Sequence, residues 1–123
     1  MSFKVIKVNE IKTKKILGGP IKPVVNPKTV GSKNLVFALG VFDVGDGLVP
    51  HIHPESEEVY YVIRGRGTVY IGKEKREISI EPDMALYIPP GTIHAVKNTG
   101  KGELIIAFFV APGKEPTKKV CEE

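Results

Sequence analysis

From residue 34 to residue 111 the chain is a succession of short apolar runs, each stopped by glycine or proline, with no helix-period segment of any length. Runs of this kind, repeating every 8–12 residues or so, read as strands of a β-sandwich or barrel. Residues 34–44 predict a long strand that is apolar on both faces for much of its length. That pattern suits a strand buried between a barrel interior and a second surface. Asp46-Gly47 marks a turn. Shorter strands are expected at 59–63, 68–71, 77–80, 84–88 and 94–96, and a continuously apolar one at 103–111, stopped by Pro112-Gly113. Residues 3–8 also predict a short strand. Residues 12–34 are rich in Gly, Pro and Lys, and proline interrupts ladder pairing. Residues 1–34 are therefore expected as an N-terminal strand and an extended arm with short strand fragments. Ile16-Leu17 and Val24-Val25 would pack that arm on the barrel or on a partner subunit.

At 123 residues, with 41% hydrophobic and 26% charged side chains, the chain fits one globular domain. Residues 1–10 hold no unbroken apolar stretch, so no secretory signal is expected. No run approaches the roughly 18 apolar residues of a membrane helix. The single cysteine, Cys121, has no internal disulfide partner, which suits a cytoplasmic setting. It is expected as a free, solvated thiol in a polar tail, 113–123. The net charge is +4, but most lysines alternate with glutamates, as in 73–77, and read as a solvated hairpin. Only Lys12, Lys14 and Lys15 cluster, and no aromatic residue is interleaved with them. Nucleic acid is therefore not an expected partner. A mildly positive field does favour small anions.

Side chains two apart on a strand share a face, so His51 and His53 point into one space. Glu58 opens the next apolar run after a short polar turn, and His94 arrives from a distant strand after Pro89-Pro90-Gly91. Three imidazoles and a carboxylate suit first-row divalent metals. A lone histidine is more simply a half-buried residue, but this set takes in all three histidines of the chain. A carboxylate buried there unpaired would cost on the order of several kcal/mol. Without metal the barrel must then be wet or must protonate Glu58. Tyr60 and Val62 share the parity of Glu58 and should face the same space.

These two pieces resemble the paired motifs of the cupin superfamily. The first motif is met at Gly45, His51, His53, Glu58 and Gly65, and the second at Pro89, Gly91, His94 and Asn98. The glycine that leads the second motif is replaced by Asp83, a change that touches a turn and not a ligand. Periodicity alone leaves jelly roll and immunoglobulin-like sandwich open; the resemblance, over about residues 35–112, implies an all-β cupin jelly-roll barrel (double-stranded β-helix). It also implies one divalent transition metal (Mn, Fe, Ni, Co or Zn) on His51, His53, Glu58 and His94, with two neighbouring coordination positions open. Ligand type does not choose among these metals. Single-domain members commonly pair, and unpaired strand edges invite association, so a homodimer is expected.

On this basis the chain is expected to be a small metal-dependent enzyme, an oxygen-using oxidoreductase or a decarboxylase, acting on a small anionic or enolisable molecule. Tyr60 would orient a substrate oxygen or donate a proton, with Tyr87 and Tyr70 as weaker candidates. Arg64 and Arg66 could hold an anion at the rim, Asn98 would bond a turn, and Glu55 or Glu57 could act as an outer base. The alternatives are a non-enzymatic metal- or ligand-binding barrel and, less, a sugar-phosphate isomerase. Against the isomerase, no threonine-rich segment leads into the histidines. The fold hosts many chemistries and does not choose.

Overall fold

The computed structural model describes residues 3–113 and 118–120. In it the apolar runs become strands β1 (Lys14–Ile16), β2 (Gly19–Val25), β3 (Val36–Phe42), β4 (Gly47–Ile52), β5 (Glu57–Arg64) and β6 (Gly67–Ile71). They continue as β7 (Arg76–Ile80), β8 (Ala85–Ile88), β9 (His94–Lys97), β10 (Leu104–Ala111) and β11 (Lys118–Lys119). Two antiparallel sheets result, of order β1-β2-β3-β10-β5-β8 and β11-β4-β9-β6-β7, closing into the expected jelly roll. Alternation sorts the side chains. Glu58, Tyr60 and Val62 of β5 point inward with Leu104, Ile106 and Phe108 of β10, against Val69 and Val96 of the other sheet. Among the described residues no helix is long and apolar enough to cross a membrane.

Two expectations for the N-terminal part are corrected. Residues 3–7 form no strand, and Val8–Glu10 is a single 3-10 turn. The alternation of Phe3 and Val5 supplies strand propensity, but a strand needs a neighbour to take up its backbone groups. Phe3 and Val5 are 89% and 83% exposed. The stretch 12–34 does hold short strands, as expected, but they join the sheet as β1 and β2 where an arm packed on the barrel or a partner was expected. Leu17 and Gly18 turn at φ 53° and 84°, and β2 pairs with β1 on one side and β3 on the other. Its prolines are accommodated because neither has two neighbours: the β3 ladder begins at Ile21, past Pro20, and β1 pairs only with Gly19–Ile21. Pro23 lies beyond that pairing, and the ladder to β3 shifts register between Pro23 and Val25, a bulge of the kind where strand proline is found.

The motif residues outside the four candidate ligands shape the turns. Asn98 is buried; its Nδ2 donates to Phe42 O at 3.0 Å and to Gly102 O at 2.8 Å, and its Oδ1 accepts from Gly100 N at 3.0 Å. The expected turn role is met. Gly65 sits at φ 83°, and a Cβ there would stand 2.1 Å from Glu103 O. Asp83 adopts φ 68°, the left-handed conformation that glycine takes most readily. Its carboxylate accepts a 2.6 Å hydrogen bond from Tyr61 Oη. At the far end of the chain, β11 pairs Lys118 with Ile52 and Lys119 with His51. Cys121 lies outside the described residues.

Candidate metal centre

The four expected ligands come together across the two sheets. His51 and His94 stand directly opposite each other on β4 and β9, their ring centroids 4.1 Å apart. Leu48 and His51 both face inside although they are three residues apart, which strict alternation forbids. The register shift between them rotates the strand and makes this possible. His53 lies just past the end of β4, where its carbonyl accepts Gly91 N at 2.9 Å. Glu58 reaches in from β5, on the other sheet. The turn between them is pinned by buried Ser56, whose hydroxyl donates to the carbonyl of Pro112.

The donor atoms of His51, His53, Glu58 and His94 all lie within 4.8 Å of one another. His51 Nδ1 donates to Val49 O at 2.7 Å and His94 Nδ1 to Thr92 O at 2.9 Å. A carbonyl can only accept, so these bonds place the ring proton on Nδ1 and turn a lone pair on Nε2 toward the site. Glu58 Oε1 stands 2.8 Å from His94 Nε2 and 3.1 Å from His53 Nε2. A neutral imidazole has one N–H, so His94 cannot donate to Thr92 O and Glu58 at once. An extra proton on the ring satisfies both contacts, and so does a cation between the side chains. The donor set therefore fits a divalent metal, and this buried group can hold one.

Electrostatics point the same way. Burial, with the neighbouring His94 charge second, lowers the pKa of His51 from 6.5 to about 4. Its ring is neutral near pH 7, as a ligand must be. Burial alone would raise the Glu58 carboxyl, but hydrogen bonds and charge from His53 and His94 outweigh it and hold the group below its ordinary value.

Tyr60 is buried inside the barrel as expected, its ring centroid 5.9 Å from that of His94 and 4.6 Å, edge-on, from that of Phe108. Its hydroxyl is the one buried side-chain polar atom without a hydrogen-bond partner among the described residues. Burial, then the charge of Glu58, pushes the phenol well above its usual pKa. Val62 lines the same interior.

The other candidates lie elsewhere. Tyr87 is on the outer face of β8, its hydroxyl donating to Glu57 Oε1 at 2.7 Å; both are outside the barrel, and Glu55 is exposed. Tyr70 pairs with Ala95 on the outer side of the second sheet, one residue out of phase with buried Val69. Arg64 ends β5 at the opposite end from Glu58, about 20 Å away at strand rise. Arg66, exposed, pairs with Glu81. Phe108 and the carbonyls of Val49 and Thr92 complete the site. Phe108 carries no signal in the sequence because the final strand is apolar at every position, and carbonyls are invisible in a list of side chains.

Residues 38–111 match the family described as "Cupin domain". The chain is 31% identical over 112 residues to a protein named polyketide synthase CurC from Streptomyces cyaneus, spanning 91% of this chain and 71% of that one. Among solved structures it is similar to the polyketide cyclase RemF from Streptomyces resistomycificus, with a TM-score of 0.83, 17% identity, and 99% of this chain and 88% of that one covered. It is also similar to a protein from Thermotoga maritima described as a predicted oxalate decarboxylase, with a TM-score of 0.77, 19% identity, and 89% and 99% coverage. At these identities the two structures speak for the fold alone.

Proposed function

The chain belongs to the cupin superfamily, and from that premise we propose that it is a mononuclear metal-dependent enzyme acting on a small enolisable or anionic carbonyl compound, by oxidoreductase or decarboxylase chemistry. The observation that carries this reading is the pairing of a convergent three-histidine, one-carboxylate set with an unpartnered tyrosine hydroxyl in the same interior. A purely structural core has no use for either. Likeness to a polyketide synthase protein supports the substrate class, since polyketides are rich in enolisable carbonyls.

In this reading His51, His53, Glu58 and His94 hold one divalent transition metal, which when bound supplies a Lewis acid to polarise a substrate oxygen. The remaining work falls to the chain. Val49 O and Thr92 O fix the rings of His51 and His94, so the donor atoms need not reorganise. Tyr60, its pKa raised, keeps its proton at neutral pH and donates a hydrogen bond to the substrate oxygen where negative charge grows. Val62 and Phe108 wall the interior and exclude water. The working unit is a homodimer.

Elemental analysis of protein purified without added metal or chelator, beside His51→Ala, tests the first step. About one Mn, Fe, Ni, Co or Zn per chain is expected, falling to below roughly a tenth in the variant. Oxygen uptake and carbon dioxide release, measured with 1,3-diketones and β-keto acids, then test the chemistry. Metal that is substoichiometric, unchanged by the mutation and not raised by added metal would defeat the enzyme reading.

A further inference from the structure

The register of the five-stranded sheet leaves a groove on its outer face, back to back with the metal centre. Ala95 of β9 stands opposite Tyr70 of β6. On its other side, β4 passes from Leu48, opposite Val96, to His51, opposite His94, so that two residues, Val49 and Pro50, face the single Ala95. The irregularity that brings Leu48 and His51 both inside therefore leaves two neighbouring side chains for the outside. A methyl group between a tyrosine and a Val-Pro pair is a low floor between higher sides. Ala95 is 8% exposed although it points away from the barrel interior. Both margins are pinned by backbone hydrogen bonds. Val120 N donates to Pro50 O at 2.9 Å beyond β4, and Gly72 N, in the β6–β7 turn, donates to Ile93 O at 2.8 Å. The groove so formed has a volume of about 790 Å³, within the range of small-molecule sites.

We propose that this groove is a second binding site, separate from the metal centre, for a small carboxylate carried on an apolar body. Charge selects the head group. Lys73, Lys75 and Lys97 line the groove and no carboxylate does. Acids stand at its margin: Glu74 lies in the same turn as Lys73 and Lys75, its carboxylate near Gly72. Glu77 stands opposite Tyr70 on β7, and Asp46 turns its carboxylate onto Asp43 N at 3.0 Å. These acids interrupt any longer basic track, so a polyanion gains little here. A single anionic head inside the groove meets lysines and the Tyr70 hydroxyl. The floor selects the body. Val49, Pro50, Ala95 and the ring of Tyr70 offer apolar surface, whose burial supplies affinity that exposed ion pairs alone do not. Because both walls are tied to the sheet, the site is formed before its ligand arrives. His51 and His94 point to the opposite face of the same strands, so an anion in the groove cannot touch a metal inside the barrel. The site also gives Tyr70, which the metal centre leaves unused, a place in the chemistry of the chain.

Isothermal titration of the full, metal-loaded chain with octanoate is the test, repeated after treatment with chelator. One octanoate per chain is expected, with the same dissociation constant in both preparations. Octanamide, which keeps the body and loses the charge, and acetate, which keeps the charge and loses the body, should each bind at least about tenfold more weakly. Lys73→Gln combined with Lys97→Gln, both exposed and outside the core, should weaken octanoate at least about fivefold. Lys28→Gln combined with Lys33→Gln, an equal loss of charge in the loop before β3, should leave it unchanged. Val49→Glu, which sets a carboxylate on the groove wall, should abolish binding with unchanged circular dichroism. Octanoate binding that the chelator removes and the groove variants leave intact would put the anion on the metal and overturn the groove site. Octanamide binding as tightly as octanoate would overturn the anionic class. An absence of octanoate binding at millimolar concentration would overturn the proposal outright. In that event, a wild-type dimer that the lysine variants dissociate would assign the groove to a second copy of the chain.

Discussion

Tyr60 separates the roles of packing and chemistry at the site. Its hydroxyl is buried without a partner, and an unsatisfied buried polar group costs about 1–3 kcal/mol. Tyr60→Phe keeps the ring against Phe108 and removes that penalty. Its stability to urea should stay level or rise by up to about 2 kcal/mol, while kcat falls at least about tenfold. A variant with wild-type kcat would end the proposed donor role. His51 makes an acid-sensitivity prediction for chelator-treated protein. The unfolded ring takes its proton at 6.5 and the folded ring only near 4, so the unfolded state binds more protons between those values. Stability is therefore intact above pH 6.5 and falls by roughly 3 kcal/mol as pH drops to 4. Glu58, held below its ordinary value, adds a loss of the same sign below about pH 4.5. Urea titrations at pH 7.5, 5.5 and 4.5 would show it; a flat profile would mean that His51 is hydrated. The convergence of His51, His53, Glu58 and His94 was legible in the sequence, the first pair by its two-residue spacing on a strand and the other two by their places in the paired motifs. Tyr60 was legible for the same reason, by parity with Glu58. Tyr70, Tyr87, Arg64 and Arg66 were weaker candidates because residue type alone does not say which side of a sheet, or which end of a strand, a side chain occupies.

At the level of elements, the boundaries of β3 and of β5 to β10 lay close to expectation because glycine and proline punctuate them and each strand pairs within the chain. Gly65 shows how much one such mark can hold. Gly65→Ala forces a side chain into a left-handed conformation, about 1–2 kcal/mol, and drives its Cβ against the Glu103 carbonyl. A loss above about 2 kcal/mol in equilibrium unfolding is expected, and an effect under about 0.5 kcal/mol would show that the β5–β6 turn relaxes freely. Misreadings concentrated where local and tertiary rules compete. The prolines of β2 argued for short fragments only, but Pro23 falls where only one neighbour remains and a bulge absorbs it. Residues 3–7 have the alternation of a strand, yet propensity supplies no sheet edge to pair with.

For the whole molecule, the site joins the sheets. Glu58 belongs to one, His51 and His94 to the other, so an ion bound by all of them clamps the sandwich at one end. Binding to the folded state alone stabilises by about 2.7 kcal/mol at a free ligand concentration one hundred times Kd. For a chain of this size that is roughly 10–15 °C in Tm. Thermal scans with and without chelator should show the difference in the wild type and not in His51→Ala. Equal melting temperatures in loaded and stripped wild type would mean that the four side chains do not act together.

The bond from Gly91 N to the carbonyl of His53 gives this clamp a built-in gauge. Of the four candidate ligands His53 is the one outside any strand, so the ladder does not hold it. Its backbone is held instead by the turn that leads into His94. An ion gripping both rings would draw the two backbones together and suppress the opening that lets the Gly91 amide exchange with deuterated solvent. That single amide can therefore report occupancy whichever metal is bound, without turnover being followed.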